Sequence, residues 1–114
     1  MRIHHVALRT VDLERLERFY AGVLGLRVVR RDYARGSVWL ALGLGPDAAA
    51  AVLMLERAAP GEPPIPWGSK ELVAFAVDDL GPWRARVAVE AETAHTLYFR
   101  DPDGRRVAVS TYPL

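Results

Sequence analysis

The stretch HVALRTVDL (residues 5–13) returns as LVAFAVDDL (residues 72–80), without a gap and at an offset of 67. Both copies run from a strand-like segment through Asp-Leu into the start of a helix. Both are followed by further strand-like segments and a turn. An internal repeat constrains the fold more than any other feature, because each copy is one supersecondary unit that leans on its neighbour. In a chain of 114 residues each copy has about half the length, too little to bury a core alone. The halves are therefore expected to pack together, within one chain or between two.

The pattern inside each copy reads βαβββ. Residues 2–10 alternate as a strand, and Asp12 has the place of a helix N-cap. Leu13, Leu16, Phe19, Tyr20, Val23 and Leu24 then recur at three- and four-residue spacing among charged residues, which makes an amphipathic helix. Gly25 stops it. LRVVRRDY and SVWLALG read as strands with ARG turning between them, LGPD as a turn, and AAAVLMLER as a strand. The segment AAPGEPPIPWGS holds four prolines and two glycines and is a connector between modules at about 1–58 and 70–114. KELVAFAVDDL is a strand entering a helix, and residues 80–89 are expected to be helical, with Pro82 in the first turn. The second strand of this copy has no clear pattern. HTLYFR and RRVAVSTY are strands joined by the turn DPDG. The fold class is α+β, with two βαβββ modules.

Composition narrows function by exclusion. Net charge is +1 and the basic residues are scattered, so nothing points to nucleic acid or an acidic membrane. There is no cysteine, which removes disulfides, thiolate nucleophiles and Cys-based zinc sites. No apolar stretch is long enough to span a bilayer and no apolar signal core precedes Asp12, so a cytoplasmic protein is expected. Asn and Gln are absent too, and Lys70 is the only lysine. That bias fits a hot-growing source, and equally a GC-rich genome that favours Arg and Ala codons.

HHVALRTVDLERLERFYAGVLGLRV and LYFRDPDGRRVAV, together with VAFAVDDL, resemble the vicinal oxygen chelate superfamily, which comprises glyoxalase I, the bleomycin-resistance proteins, fosfomycin-resistance enzymes and extradiol dioxygenases. The resemblance covers nearly the whole chain. It implies two βαβββ modules forming a glyoxalase-like half-barrel cleft. In metal-dependent members the first and last strands of each module supply one ligand each. Those positions fall here on His5, Met54, Leu72 and Ala108, and the internal alignment of His5 with Leu72 supports the third independently. Leu and Ala offer no donor, and a thioether suits soft ions only. His5 alone does not hold a divalent metal, so no metal cofactor is expected. A displaced set of His5, Glu56 and His95 is the alternative, since two His and one carboxylate are a ligand type for non-haem iron.

Arg9 lies four residues after His5 and shares its strand face. In glyoxalase I an arginine at this spacing holds a substrate carboxylate, so the resemblance makes Arg9 an anion anchor. Packing is the ordinary role of Trp39, Tyr98 and Phe99, although any that face the cleft would stack on a flat ligand. Asp101 and Asp103 are turn residues. Two readings follow. The first is a metal-free homodimer binding a small anionic or aromatic molecule with His5, Arg9, Met54, Glu56, Leu72 and Ala108 in or around its cleft. The second is a metal-dependent lyase, isomerase or dioxygenase with a displaced site.

Overall fold

The structure is a computed structural model that describes residues 1–43 and 51–114. The turn expected at 44–47 lies outside the described residues. The chain divides within the proline-rich connector into two units, Met1–Pro63 and Pro64–Leu114.

In the first unit β1 (His5–Thr10) leads into α1 (Leu13–Glu17), followed by β2 (Val28–Asp32), β3 (Ser37–Ala41) and β4 (Val52–Arg57). The sheet order is β1-β4-β3-β2. β1 runs parallel to β4, and the other pairs are antiparallel. Asp12 caps α1 as expected: its backbone is extended and its carboxylate accepts from the Arg15 N–H at 3.1 Å. The helix is not uniform. After Glu17 it widens into π-helical turns over Arg18–Val23, and the Leu24 N–H donates to the Phe19 carbonyl at 3.0 Å. The apolar repeat explains the widening. Leu16, Tyr20 and Leu24 are all buried and four residues apart. A helix of about 3.6 residues per turn lets such a repeat drift off its face, whereas wider turns keep it in line. Gly25 then ends the helix at φ +80°. Leu8, Leu13, Leu16, Tyr20 and the inner residues Val38, Leu40, Leu53 and Leu55 form the core between the helix and one sheet face.

The second unit repeats the plan. β5 (Val73–Ala76) leads into α2 (Gly81–Arg84), then β6 (Ala91–Glu92), β7 (Thr96–Arg100) and β8 (Arg106–Ser110), in the order β5-β8-β7-β6. β5 is parallel to β8, as β1 is to β4. Leu13 and Leu80, equivalent in the repeat, are both buried. Leu97, Phe99, Val107 and Val109 form the inner face. α2 is shorter than the helix expected over 80–89. The Arg86 and Val87 N–H groups both donate to the Trp83 carbonyl, closing the last turn. Val87 and Val89, β-branched and stiff at χ1, do not favour its continuation. The strand without a sequence pattern is β6, only two residues long, held by Ala91 opposite Tyr98 and Glu92 opposite Leu97.

The DPDG turn is built around Asp101, whose side chain has 0% exposure. Its Oδ1 accepts from the Asp103 and Arg105 N–H groups at 2.9 and 3.1 Å, and its Oδ2 pairs with Arg105 Nη1 at 2.5 Å. Gly104 takes φ +85°, which a side chain would resist. Asp101→Ala should therefore destabilise the protein by about 3–5 kcal/mol, the cost of breaking a buried pair. Asp101→Asn, which keeps an acceptor for the backbone, should cost less. Urea unfolding of the two variants checks both values, and equal costs would show that the backbone contacts contribute nothing.

Candidate functional site

The register divides each sheet into a helix-covered face and an open one, because strand partners share a face and faces alternate along a strand. In the first unit the open face has three rows. Ala7 lies beside Met54, Met54 beside Trp39, and Trp39 beside Arg30. On one side of this row are His5, Val52 and Ala41, and on the other Arg9, Glu56, Ser37 and Asp32. The structure thus brings His5, Arg9, Met54 and Glu56 to one face. Arg30 reaches it through a bulge: Val28 pairs with Leu40, but Arg30 pairs with the next residue, Trp39, so the extra residue Val29 reverses the alternation. The Arg30 guanidinium carbon lies 5.9 Å from the Trp39 ring centre.

In the second unit the central row is Ala74, Ala108, Tyr98 and Ala91. Ala76, Ser110 and Thr96 flank it on one side, and Arg106 with Arg100 on the other. Leu72 lies two residues before Ala74 and so on the same side as that row. Ala108 is fully buried on its strand, while Ala74 and Ala76 are exposed. Tyr98 takes the same place beside Ala108 as Trp39 takes beside Met54. Arg106 stacks over Tyr98 at 4.2 Å from the ring centre. Arg100 stacks over Trp67 of the connector at 4.4 Å and is held edgewise by Glu90 at 2.6 and 3.1 Å. The hydrogen bond from Arg100 holds the Glu90 carboxyl below the usual glutamate range, against a smaller upward push from burial.

At the metal-ligand positions the family resemblance implies, Met54, Leu72 and Ala108 supply no oxygen or nitrogen donor. In the alternative set, His5 and Glu56 are not neighbours on the sheet. His5 pairs with Val52 and Glu56 with Arg9, so His5 and Glu56 are four residues apart along the sheet, about 13 Å at ~3.3 Å per residue. Ligand bonds to nitrogen and oxygen are about 2 Å long. His95 belongs to the second unit, exposed before β7, with its ring edge-on to Tyr112 at 5.5 Å between centres. Among the described residues no three His, Asp or Glu side chains gather in a metal-holding group. The His5 ring has another partner: its Nδ1 and that of His4 share a hydrogen bond of 2.9 Å.

A cavity of about 320 Å³ lies elsewhere, at the start of α1, lined by Val11, Asp12, Leu13, Glu14, Tyr33 and Arg57. Its polar groups already have work. Asp12 caps the helix, Arg57 Nη2 donates to the Tyr33 carbonyl at 3.1 Å, and the Tyr33 hydroxyl donates to Glu17 at 2.8 Å. That last bond raises the Tyr33 pKa above its ordinary value, with burial adding to it. The open sheet faces are the better candidate.

The chain matches the Glyoxalase/Bleomycin resistance protein/Dioxygenase superfamily over residues 2–109 and belongs to that family. It is 33% identical over 97 residues to lactoylglutathione lyase of Neisseria meningitidis, an overlap of 83% of this chain and 60% of the relative. The chain thus spans about 60% of the length of the curated relatives it matches. Among solved structures it is similar to lactoylglutathione lyase from Agrobacterium tumefaciens, with 26% identity, a TM-score of 0.69 and coverage of 96% of this chain and 92% of the other. It is also similar in fold to an antibiotic binding protein from Streptomyces, with 24% identity, a TM-score of 0.69 and coverage of 96% and 94%. Among the described residues no helix is long and apolar enough to cross a membrane.

Sequence reasoning missed three features of these faces: Arg30 over Trp39, Arg106 over Tyr98 and Trp67 over Arg100. Each depends on register or on a loop path. It also missed a structural task for Arg9, whose Nη2 donates to the Pro63 carbonyl at 2.7 Å and ties the connector to β1. Arg9→Ala should cost about 1 kcal/mol or less in stability, since the bond is exposed, yet speed proteolytic cleavage between residues 58 and 63. Time courses of limited proteolysis on both proteins measure this, and equal rates would show that the tie does not hold the connector.

Proposed function

We propose that this member of the superfamily binds a small anionic or aromatic molecule on its open sheet faces, without a divalent metal at the family's ligand positions. The observation that carries the reading is the chemistry of those positions. His5 is the one nitrogen donor, and Met54, Leu72 and Ala108 replace the rest. The faces offer instead aromatic rings, guanidinium groups and small apolar residues, which suit recognition of a flat or acidic ligand. Arg9 lies on the open face of the first unit, at the position where the family resemblance implies an anion anchor. The fold supports such a role, because a similar one serves an antibiotic binding protein as well as lyases. We propose further that the chain works as a homodimer in the cytoplasm, C2 pairing being the commonest closure for small chains.

The second reading, a metal-dependent lyase, is favoured by the relatives named lactoylglutathione lyase and by His5. Elemental analysis of protein purified without chelator separates the two. The expected result is substoichiometric nickel, zinc, manganese and iron, and no loss of thermal stability on adding a chelator. One equivalent of any of these ions, lost on His5→Ala, would establish the lyase-type reading instead.

A further inference from the structure

The two open faces differ in charge. In the first unit Arg9 shares its row with two carboxylates, Glu56 and Asp32. An anion placed there meets repulsion as well as attraction. In the second unit the strand rows carry no carboxylate: Ala76, Ser110 and Thr96 on one side, Arg106 and Arg100 on the other. The one carboxylate that reaches this side among the described contacts, Glu90, is held by Arg100 and also feels the charge of Arg106.

The two arginines of that face are not equivalent. Arg100 is consumed by the fold: Nε and Nη2 donate to Glu90, Nη1 donates to the Gly104 carbonyl at 3.1 Å, and the flat side of the guanidinium meets Trp67. Among the described residues Arg106 has no ion pair, and the Tyr98 ring is its contact. Stacking occupies the face of a guanidinium and leaves its N–H donors, which lie in the plane, pointing outward. Arg106 is thus oriented in advance and still able to take a carboxylate through two parallel hydrogen bonds. On the same face the exposed Ala74, one row from Arg106, and Ala76, one row further, leave a low, apolar floor on which a flat ring lies close to the sheet.

We infer that the open face of the second unit binds an aromatic carboxylate, with the ring on Ala74 and Ala76 against Tyr98 and the acid on the Arg106 guanidinium. This rests on the reading that the open faces bind a small molecule, and it names both the ligand class and the residue that reads its charge.

The probes are 2-naphthoate and its neutral counterpart 2-naphthamide, titrated calorimetrically into the full chain. Wild type should bind the acid more tightly than the amide. Arg106→Gln should weaken the acid about tenfold, the equivalent of one charge-assisted contact at 1.4 kcal/mol, and leave the amide unchanged. Arg106→Lys should restore part of the loss, because it keeps the charge without the planar fork. Arg35→Gln, the same loss of charge at an exposed turn of the first unit, should leave both affinities as they are. No binding of 2-naphthoate to wild type would overturn the inference, as would equal affinity for acid and amide or an unchanged acid affinity in Arg106→Gln. Equal affinity for the two probes would still leave a small-molecule binder standing. One equivalent of metal on His5 would remove that broader reading without altering the Arg106 comparison.

Discussion

In each unit the first strand lies parallel to the last, β1 beside β4 and β5 beside β8. Most of the architecture follows from that pairing. A parallel neighbour cannot be reached by a tight turn, so the chain must cross over one face of the sheet before returning. The crossover helix covers that face, and Leu13, Leu16 and Tyr20 in one unit and Leu80 in the other seal it. The remaining strands add antiparallel at the far edge. Among the described residues the opposite face receives no helix from its own unit, only the contacts of Pro63 with Arg9 and of Trp67 and Glu90 with Arg100, and there the chain has placed its unusual side chains: Trp39, Arg30, Tyr98 and Arg106.

Duplication then separates what is common to the two units from what is particular to each. Common to both are the pairing, the Asp-Leu entry into the helix, and an aromatic residue beside the centre of the last strand. Particular to each is the chemistry around that aromatic. Met54 and a row of mixed charge accompany Trp39, whereas Ala108 and a row of arginines accompany Tyr98. The copies share a backbone plan and have diverged in the side chains of the sheet face turned away from the helix.

Local features were legible in the sequence, and features of register were not. The helix cap at Asp12, the stop at Gly25, the DPDG turn and the repeat itself depend on residues within a few positions of one another. Period-two alternation was enough to place His5 and Arg9 on one face and Met54 and Glu56 together. It failed at Val29, because a bulge adds a residue that no pattern within the strand announces. The π-helical turns were concealed for a related reason, since a four-residue apolar spacing reads as ordinary amphipathic helix. β6 was hidden because two residues carry no periodicity at all, and its pairing is specified by β7. The stack of Arg106 on Tyr98 needed the β7–β8 register, and that of Trp67 on Arg100 needed the path of a connector whose composition says only that it is irregular.

The tie between Arg9 and Pro63 reads a backbone carbonyl and not a side chain. Every residue type carries that acceptor, so the contact is indifferent to what occupies position 63. It is sensitive to how many residues separate the end of β4 at Arg57 from that carbonyl. Drift among relatives at this boundary is therefore permitted in spelling and restrained in length: substitutions can accumulate through the connector, while an insertion or deletion between Arg57 and Pro63 moves the acceptor out of the guanidinium's reach.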